Sequence, residues 1–269
     1  MHDLRDDILK SVANRKVTAV IIADDSGIVA ETAVAAEEAR KLGLYVEHIL
    51  TEGSRIKKGD EVARLCGTPK QIAIAEDVLI GIIVKPSGIA SAANEFIKRA
   101  GQRPQIVSGA LKKMSASQKE AIRRAIVTGG AYYRISRDPF IYLDKNYLQM
   151  LGGIREGLKA VSGFGDYLKV VQIKGRNKAI VLEACEAVEC GADILFIDTG
   201  ILSDVAQVVK RLNQLNLRKK VKIAFGGNVT LDDIDVIKDL DIDVLDIGRQ
   251  IIDAPLLDMR LEVVDVKDA

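Results

Sequence analysis

The chain has 269 residues, 48% apolar and 29% charged, enough for one large α/β domain or for a barrel with a smaller partner domain. Lys and Arg (39) almost cancel Asp and Glu (38), aromatics make up 4% and Trp is absent, which argues against nucleic-acid binding through either a basic stripe or base stacking. The amino terminus "MHDLRDDILK" has no apolar signal core, and runs such as "VLIGIIV" fall far short of the ~20 residues of a membrane span, so a cytoplasmic protein without membrane contact is expected.

An amphipathic helix is predicted around Leu4 to Val12, then a strand at "KVTAVIIAD", a helix at "AETAVAAEEARKLG" ended by Gly43, and a strand at "YVEHIL". The Glu-Gly and Lys-Gly-Asp turns of "TEGSRIKKGDEVARLCG" separate short β segments. A long helix starts near Thr68, is expected to break at Pro86 and resumes as "GIASAANEFIKRAG". From Gln105 the rhythm becomes strand then helix, with apolar strands at "QIVSG", "FIYLD", "LKVVQIK", "ADILFID", "VKIAFGG" and "DVLDIG". Such continuously apolar strands suit a parallel sheet buried on both faces.

The terminal "RLEVVDV" reads as a strand with no helix left to pair with. The expected architecture is therefore an N-terminal α/β sandwich over residues 1–104, joined by a terminal strand over 259–269, and an incomplete six- or seven-stranded α/β barrel over 105–258. Cys66, Cys185 and Cys190 form no C-x-x-C pair and only two histidines are present, so the thiols are read as small buried side chains and a His/Cys metal site is not expected.

Gly226-Gly227 and Gly248-Arg249 end the last two strands of the series. In parallel α/β architectures reactive groups gather at the carboxyl ends of strands, and bare backbone there lets N–H groups approach a phosphate. Arg249 adds a fork of donors. The competing reading is that tight αβ turns need glycine in any case.

Nearly the whole chain resembles the quinolinate phosphoribosyltransferase family, also called nicotinate-nucleotide pyrophosphorylase. The similar phrases, in the family's order and spacing, are "EGSRIKKGDEVARLCGT", "PSGIASAA", "GADILFIDTG", "IAFGGNVT" and "DVLDIGRQIIDAPLLDMRLEV". The resemblance implies a transferase of pyridine nucleotide biosynthesis, in which a pyridine dicarboxylate meets phosphoribosyl pyrophosphate with magnesium. The ring nitrogen is ribosylated, pyrophosphate leaves and one carboxyl group is lost as carbon dioxide. It also implies a head-to-tail homodimer or dimer-based oligomer, for which the apolar run "VLIGIIV" offers a surface to bury. No organic cofactor is expected.

Carried over residue by residue, the phosphate end matches well, with Gly226, Gly227 and Gly248 at the corresponding strand ends. Asp198 falls on the aspartate of the family's L-D-N and is expected to hold a ribose hydroxyl or magnesium, the latter with Asp144 and the substrate's own phosphates; its structural alternative is a helix N-cap. The acid-binding end departs. The family's T-R-K-T appears as "ALKK", with Leu111 for the arginine, Lys112 kept and Lys113 added. Its H-R appears as Tyr133-Arg134, its K-D-N-H as "DKNY", and its E-V-E strand end as "IKGRNKA", bringing Lys174, Arg176 and Lys178. Asp77 stands where the family places an arginine lent to the neighbouring subunit.

Lost arginines make quinolinate an unfitting substrate, and lost carboxylates weaken the anchors for ribose and magnesium. The expected catalytic set is Lys112, Arg134, Lys174 and Asp198, with Lys113, Lys145 and Asn146 on the acceptor and Gly226, Gly227, Gly248 and Arg249 on phosphate. Three functions compete. One is a divergent transferase moving a phosphoribosyl-type group to another acceptor. The second is a regulatory homologue that binds a mononucleotide phosphate without turnover. The third is an enzyme of another class using Lys174 as a Schiff-base or general-base lysine.

Overall fold

A computed structural model describes every residue except Met1, Asn177 and Ala269; the first and last of these fall within the expected sandwich and terminal strand and lie outside the described residues. In chain order the strands are β1 (Lys16–Ala23), β2 (Gly27–Ile28), β3 (Tyr45–Ile49), β4 (Arg55–Ile56), β5 (Glu61–Gly67), β6 (Gln105–Val107), β7 (Phe140–Leu143), β8 (Leu168–Ile173), β9 (Ile194–Asp198), β10 (Lys222–Gly226), β11 (Val244–Asp246) and β12 (Met259–Lys267). The chain divides into two units, one of residues 1–94, 114–130 and 253–269 and the other of residues 95–113 and 131–252. This differs from a single boundary at 104: residues 114–130, which include the helix Lys119–Thr128, group with the amino-terminal part.

The first unit is built on a four-stranded antiparallel sheet in the order β12-β1-β5-β3. Val17, Ala19, Ile21 and Ala23 of β1 alternate into its core beside Val62, Ala63 and Leu65 of β5, the period of two that a strand imposes on side chains. Helix Thr32–Lys41 adds Ala35 and Ala39 to the same core, and helix Pro69–Ala100 adds Ile72, Ala75, Leu79, Ile83 and Val84. Of the run "VLIGIIV", Leu79, Ile83 and Val84 thus lie in the core of their own unit, with Val78, Ile80 and Ile82 partly buried against it.

Helix Pro69–Ala100 continues through Pro86, where a break was expected. Proline removes one backbone hydrogen bond and crowds the carbonyl four residues earlier, but tertiary contacts hold the helix on both sides. The Ser87 and Ser91 hydroxyls accept the N–H groups of Ala30 and Ile28 at 2.9 and 2.8 Å. At Gly88 a Cβ would lie 1.9 Å from the Pro255 carbonyl oxygen, so only glycine permits that approach.

The second unit carries a six-stranded parallel sheet in the order β6-β11-β10-β9-β8-β7. The last strand in sequence pairs with the first, as in a barrel, and a parallel bridge of Tyr132 with Val107 extends the β6 edge. Among the described residues no hydrogen-bonded ladder joins that edge to β7, which leaves the barrel incomplete. Val107, Val170, Ile194, Phe196, Ala224 and Val244 form the apolar layer inside it. Among the described residues no helix is long and apolar enough to cross a membrane.

Candidate functional site

Moving two residues on from that apolar layer gives the side chains that occupy the same face at the carboxyl ends of the strands. They are Gln172 on β8, Asp198 on β9, Gly226 on β10 and Asp246 on β11. Gly226 is the register partner of both Asp198 and Asp246, so one carboxylate stands on each side of a residue without a side chain.

Asp198 does not cap a helix. Its carboxylate Oδ2 accepts from Lys174 Nζ at 2.8 Å and from Gln172 Nε2 at 2.5 Å, and Lys174 Nζ donates again to the Asp198 carbonyl at 2.5 Å. The Gln172 side-chain oxygen in turn accepts the Lys145 backbone N–H at 2.8 Å, tying the start of helix Lys145–Leu151 to this cluster. Buried Glu183 accepts the N–H groups of Lys174 and Gly175 at 2.9 and 2.8 Å. A carboxylate with two charge-assisted bonds fixes the turn after β8 and therefore the direction of Lys174.

Asp246 is held differently. Gly109 N–H donates to its Oδ1 at 2.7 Å. Burial pushes its carboxyl up to about 6; the Gly109 bond opposes this, the charge of Asp198 adds to it, and the Lys112 ammonium offsets part of it. Tyr142, on β7, is pushed far up by burial and then by the charges of Asp198, Asp246 and Asp144, so it stays a neutral phenol. A neutral phenol can donate a hydrogen bond, and a carboxyl near 6 can hold or release a proton close to neutral pH.

The glycine ends meet two needs. Gly227 has φ +114°, and a Cβ there would lie 2.6 Å from Gly200 N and 3.1 Å from the Thr199 carbonyl carbon. Gly200 N–H donates to the Gly226 carbonyl at 3.0 Å, so the exits of β9 and β10 touch backbone to backbone and glycine is required there whatever binds. Gly248 is freer: among the described residues beyond its chain neighbours, a Cβ would meet one atom within 4 Å, the Ala110 Cβ at 3.2 Å. The helices that follow, Ile234–Ile237 and Arg249–Ile252, are single turns, so any anion held here depends on local N–H groups more than on a long helix dipole.

Arg134 places its guanidinium 5.0 Å from the centroid of Phe140, the first residue of β7, at the end of the strand opposite the carboxylate layer. Lys112, Lys113, Lys145, Asn146, Arg176 and Arg249 are exposed, and of these Lys112 acts on Asp246. Lys178 pairs with Glu186 and Asp77 with Arg5. Asp144 caps helix Lys145–Leu151, accepting from Asn146 N at 2.8 Å and Tyr147 N at 3.0 Å.

Magnesium prefers several oxygens in near-octahedral array. Asp198 already shares one oxygen between an ammonium and an amide, Asp144 spends one on its helix, and among the described residues no three His, Cys, Asp or Glu side chains come together to hold an ion. The donor set does not fit a magnesium held by the protein alone.

Asp246, Gln172, Tyr142 and Glu183 were not singled out from sequence. For Asp246 and Gln172 a signal existed: each is a polar residue near the end of a largely apolar strand, in phase with the inward apolar residue two positions earlier.

The family model described as "Quinolinate phosphoribosyl transferase, N-terminal domain" matches residues 3–87, and that described as "Quinolinate phosphoribosyl transferase, C-terminal domain" matches residues 89–262. A probable nicotinate-nucleotide pyrophosphorylase [carboxylating] of Archaeoglobus fulgidus is 29% identical over 255 residues, covering 94% of this chain and 96% of that protein. The human nicotinate-nucleotide pyrophosphorylase [carboxylating] is 25% identical over 228 residues, covering 83% and 74%. The crystal structure of nicotinate-nucleotide pyrophosphorylase from Ehrlichia chaffeensis superposes with a TM-score of 0.83 at 17% identity, covering 96% of this chain and 92% of that one. With its antiparallel amino-terminal sheet, its six-stranded parallel sheet and both family models matched in sequence order, the chain belongs to the quinolinate phosphoribosyl transferase family.

Proposed function

We propose that this chain binds a phosphorylated ribose at the exits of β10 and β11 and transfers a phosphoribosyl group to a nitrogen acceptor other than quinolinate. Family membership and the names of its relatives, nicotinate-nucleotide pyrophosphorylases [carboxylating], support the transferase part of this reading. In the reaction the acceptor nitrogen supplies its lone pair to C1′ of the ribose, the bond from C1′ to pyrophosphate breaks, and that electron pair leaves with pyrophosphate. The Gly248 turn offers close backbone approach for the 5′-phosphate, and Tyr142 and Asp246 face the space where the acceptor would lie.

The Lys174–Asp198 pair carries the acceptor part. The lysine that replaces an acidic strand end is neutralised inside the protein at 2.8 Å, while Arg134 lies on Phe140 and the remaining cations are exposed. A dicarboxylate needs converging cationic donors to offset its desolvation, and the inward-facing groups here are Asp198, Asp246, Gln172 and Tyr142. The same pair favours a second reading, binding of a mononucleotide without turnover, because Asp198 is already engaged. It disfavours a Schiff-base role for Lys174, whose ammonium bonds a carboxylate instead of lying in an apolar pocket.

Calorimetry with phosphoribosyl pyrophosphate and, separately, with nicotinate mononucleotide tests the reading. Binding of phosphoribosyl pyrophosphate is expected. Binding of the mononucleotide alone would replace transfer by sensing, and binding of neither would remove the phosphate site.

A further inference from the structure

We infer that Asp246 determines the acceptor: it accepts a hydrogen bond from an N–H group of the bound ring, so the acceptor is a nitrogen heterocycle bearing an amide or amino donor and no carboxylate at that position. The inference rests on the phosphoribosyl-transfer reading of the same site. It starts from the two carboxylates that flank Gly226. With strands about 4.8 Å apart, their Cα atoms are separated by about 10 Å, and the Phe196 ring closes over the glycine between them, 3.0 Å from where a Cβ would stand.

The two carboxylates are not equivalent. Asp198 is matched by the Lys174 ammonium and the Gln172 amide. Among the described residues, Asp246 accepts one hydrogen bond, from the Gly109 N–H at 2.7 Å, and Lys112 acts on it through space. A carboxylate can accept about four hydrogen bonds, and one enclosed by protein is unfavourable until its acceptors are used. Asp246 lies two residues beyond Val244, which belongs to the barrel's inner apolar layer, so its side chain belongs to the same inner face at the carboxyl end of the strand. A ligand carboxylate placed there meets a like charge, whereas a ring amide or amino group supplies the missing donor. Removing one such matched donor from a buried site changes selectivity strongly, since the unmatched group is left without water.

The test compares wild type with Asp246→Asn and Asp246→Ser by calorimetry, using ribose 5-phosphate, pyridine-3-carboxamide and pyridine-2,3-dicarboxylate as probes. Wild type is expected to bind the carboxamide about tenfold or more tighter than the dicarboxylate, and both variants to reduce that ratio to about threefold or less by gaining affinity for the dicarboxylate. Wild type binding the dicarboxylate as tightly as the carboxamide, binding neither ring, or keeping its ratio in both variants would overturn the assignment. Ribose 5-phosphate separates the two levels of the argument. Its failure to bind wild type would remove the phosphoribosyl reading, whereas its unchanged binding alongside unchanged ring selectivity would remove only the role of Asp246.

Discussion

Lys174 and Asp198 form an ion pair at 2.8 Å at neighbouring strand ends, with side chains only 23% and 27% exposed. Each would otherwise be an unmatched charge at the mouth of the barrel. Breaking one half of such a pair is expected to cost about 1–3 kcal/mol, below the range for fully buried pairs because solvent still reaches both groups. Urea unfolding of Lys174→Met, Asp198→Asn and the double variant measures this, and the double variant should be more stable than the sum of the single losses predicts. Strict additivity would mean that the two charges do not support each other.

Asp246 gives the site a pH dependence of defined sign. Its folded value, about 6, lies above the usual 3.8, so the native state binds the proton more tightly. Its contribution to stability is present at acid pH below the unfolded value and is lost as pH rises through about 6. A displacement of this size corresponds to at most about 3 kcal/mol. Asp246→Asn should therefore stabilise the protein at pH 7.5 and flatten the stability profile between pH 4 and 7 by about that amount at most. Thermal unfolding across that range reads both effects, and a variant less stable than wild type at pH 7.5 would contradict the sign.

The glycine turns separate by substitution. Gly227→Val places a branched side chain at φ +114° against the Gly200 backbone, so it should unfold or lose several kcal/mol, about 3 or more, before any ligand is considered. Gly248→Ala adds one methyl facing Ala110 and should fold with a loss of about 1 kcal/mol or less while weakening phosphate-ligand binding about tenfold. Circular dichroism followed by ribose 5-phosphate titration distinguishes the two.

In the amino-terminal unit, Glu31 is buried, adopts φ +63°, and receives Arg124 Nε and Nη2 at 2.7 Å each. Arg124→Met should cost about 2–4 kcal/mol by leaving that carboxylate without its partner, the upper range being reduced because the guanidinium is half-exposed. Adding Glu31→Gly should recover much of the loss, since it removes the orphaned charge and glycine suits the left-handed backbone. Denaturant midpoints of the three proteins check this.

The parallel strands were legible because "ADILFID" and "VKIAFGG" are too apolar and too short for anything but strands buried on both faces. The role of Asp246 was not, although "VLDIG" shows an acid in phase with Val244: what distinguishes it is its burial, the Gly109 N–H bond and the charges of Asp198 and Lys112, which come from other parts of the sequence. Pro86 misled for the opposite reason. Its local cost is real, but Ser87, Ser91 and Gly88 tie the helix to segments far away in sequence. Lys174 was rightly placed at a strand end, yet nothing in "IKGRNKA" announces that Asp198 takes its charge.

The most direct test is turnover with phosphoribosyl pyrophosphate and magnesium, with quinolinate offered beside a panel of uncharged nitrogen heterocycles bearing amide or amino groups. Pyrophosphate release and the mass of the nucleotide formed are the readouts. A member of the panel should yield a ribosylated product while quinolinate yields neither nucleotide nor carbon dioxide. Formation of nicotinate mononucleotide from quinolinate at a rate matching or exceeding every other acceptor would contradict it.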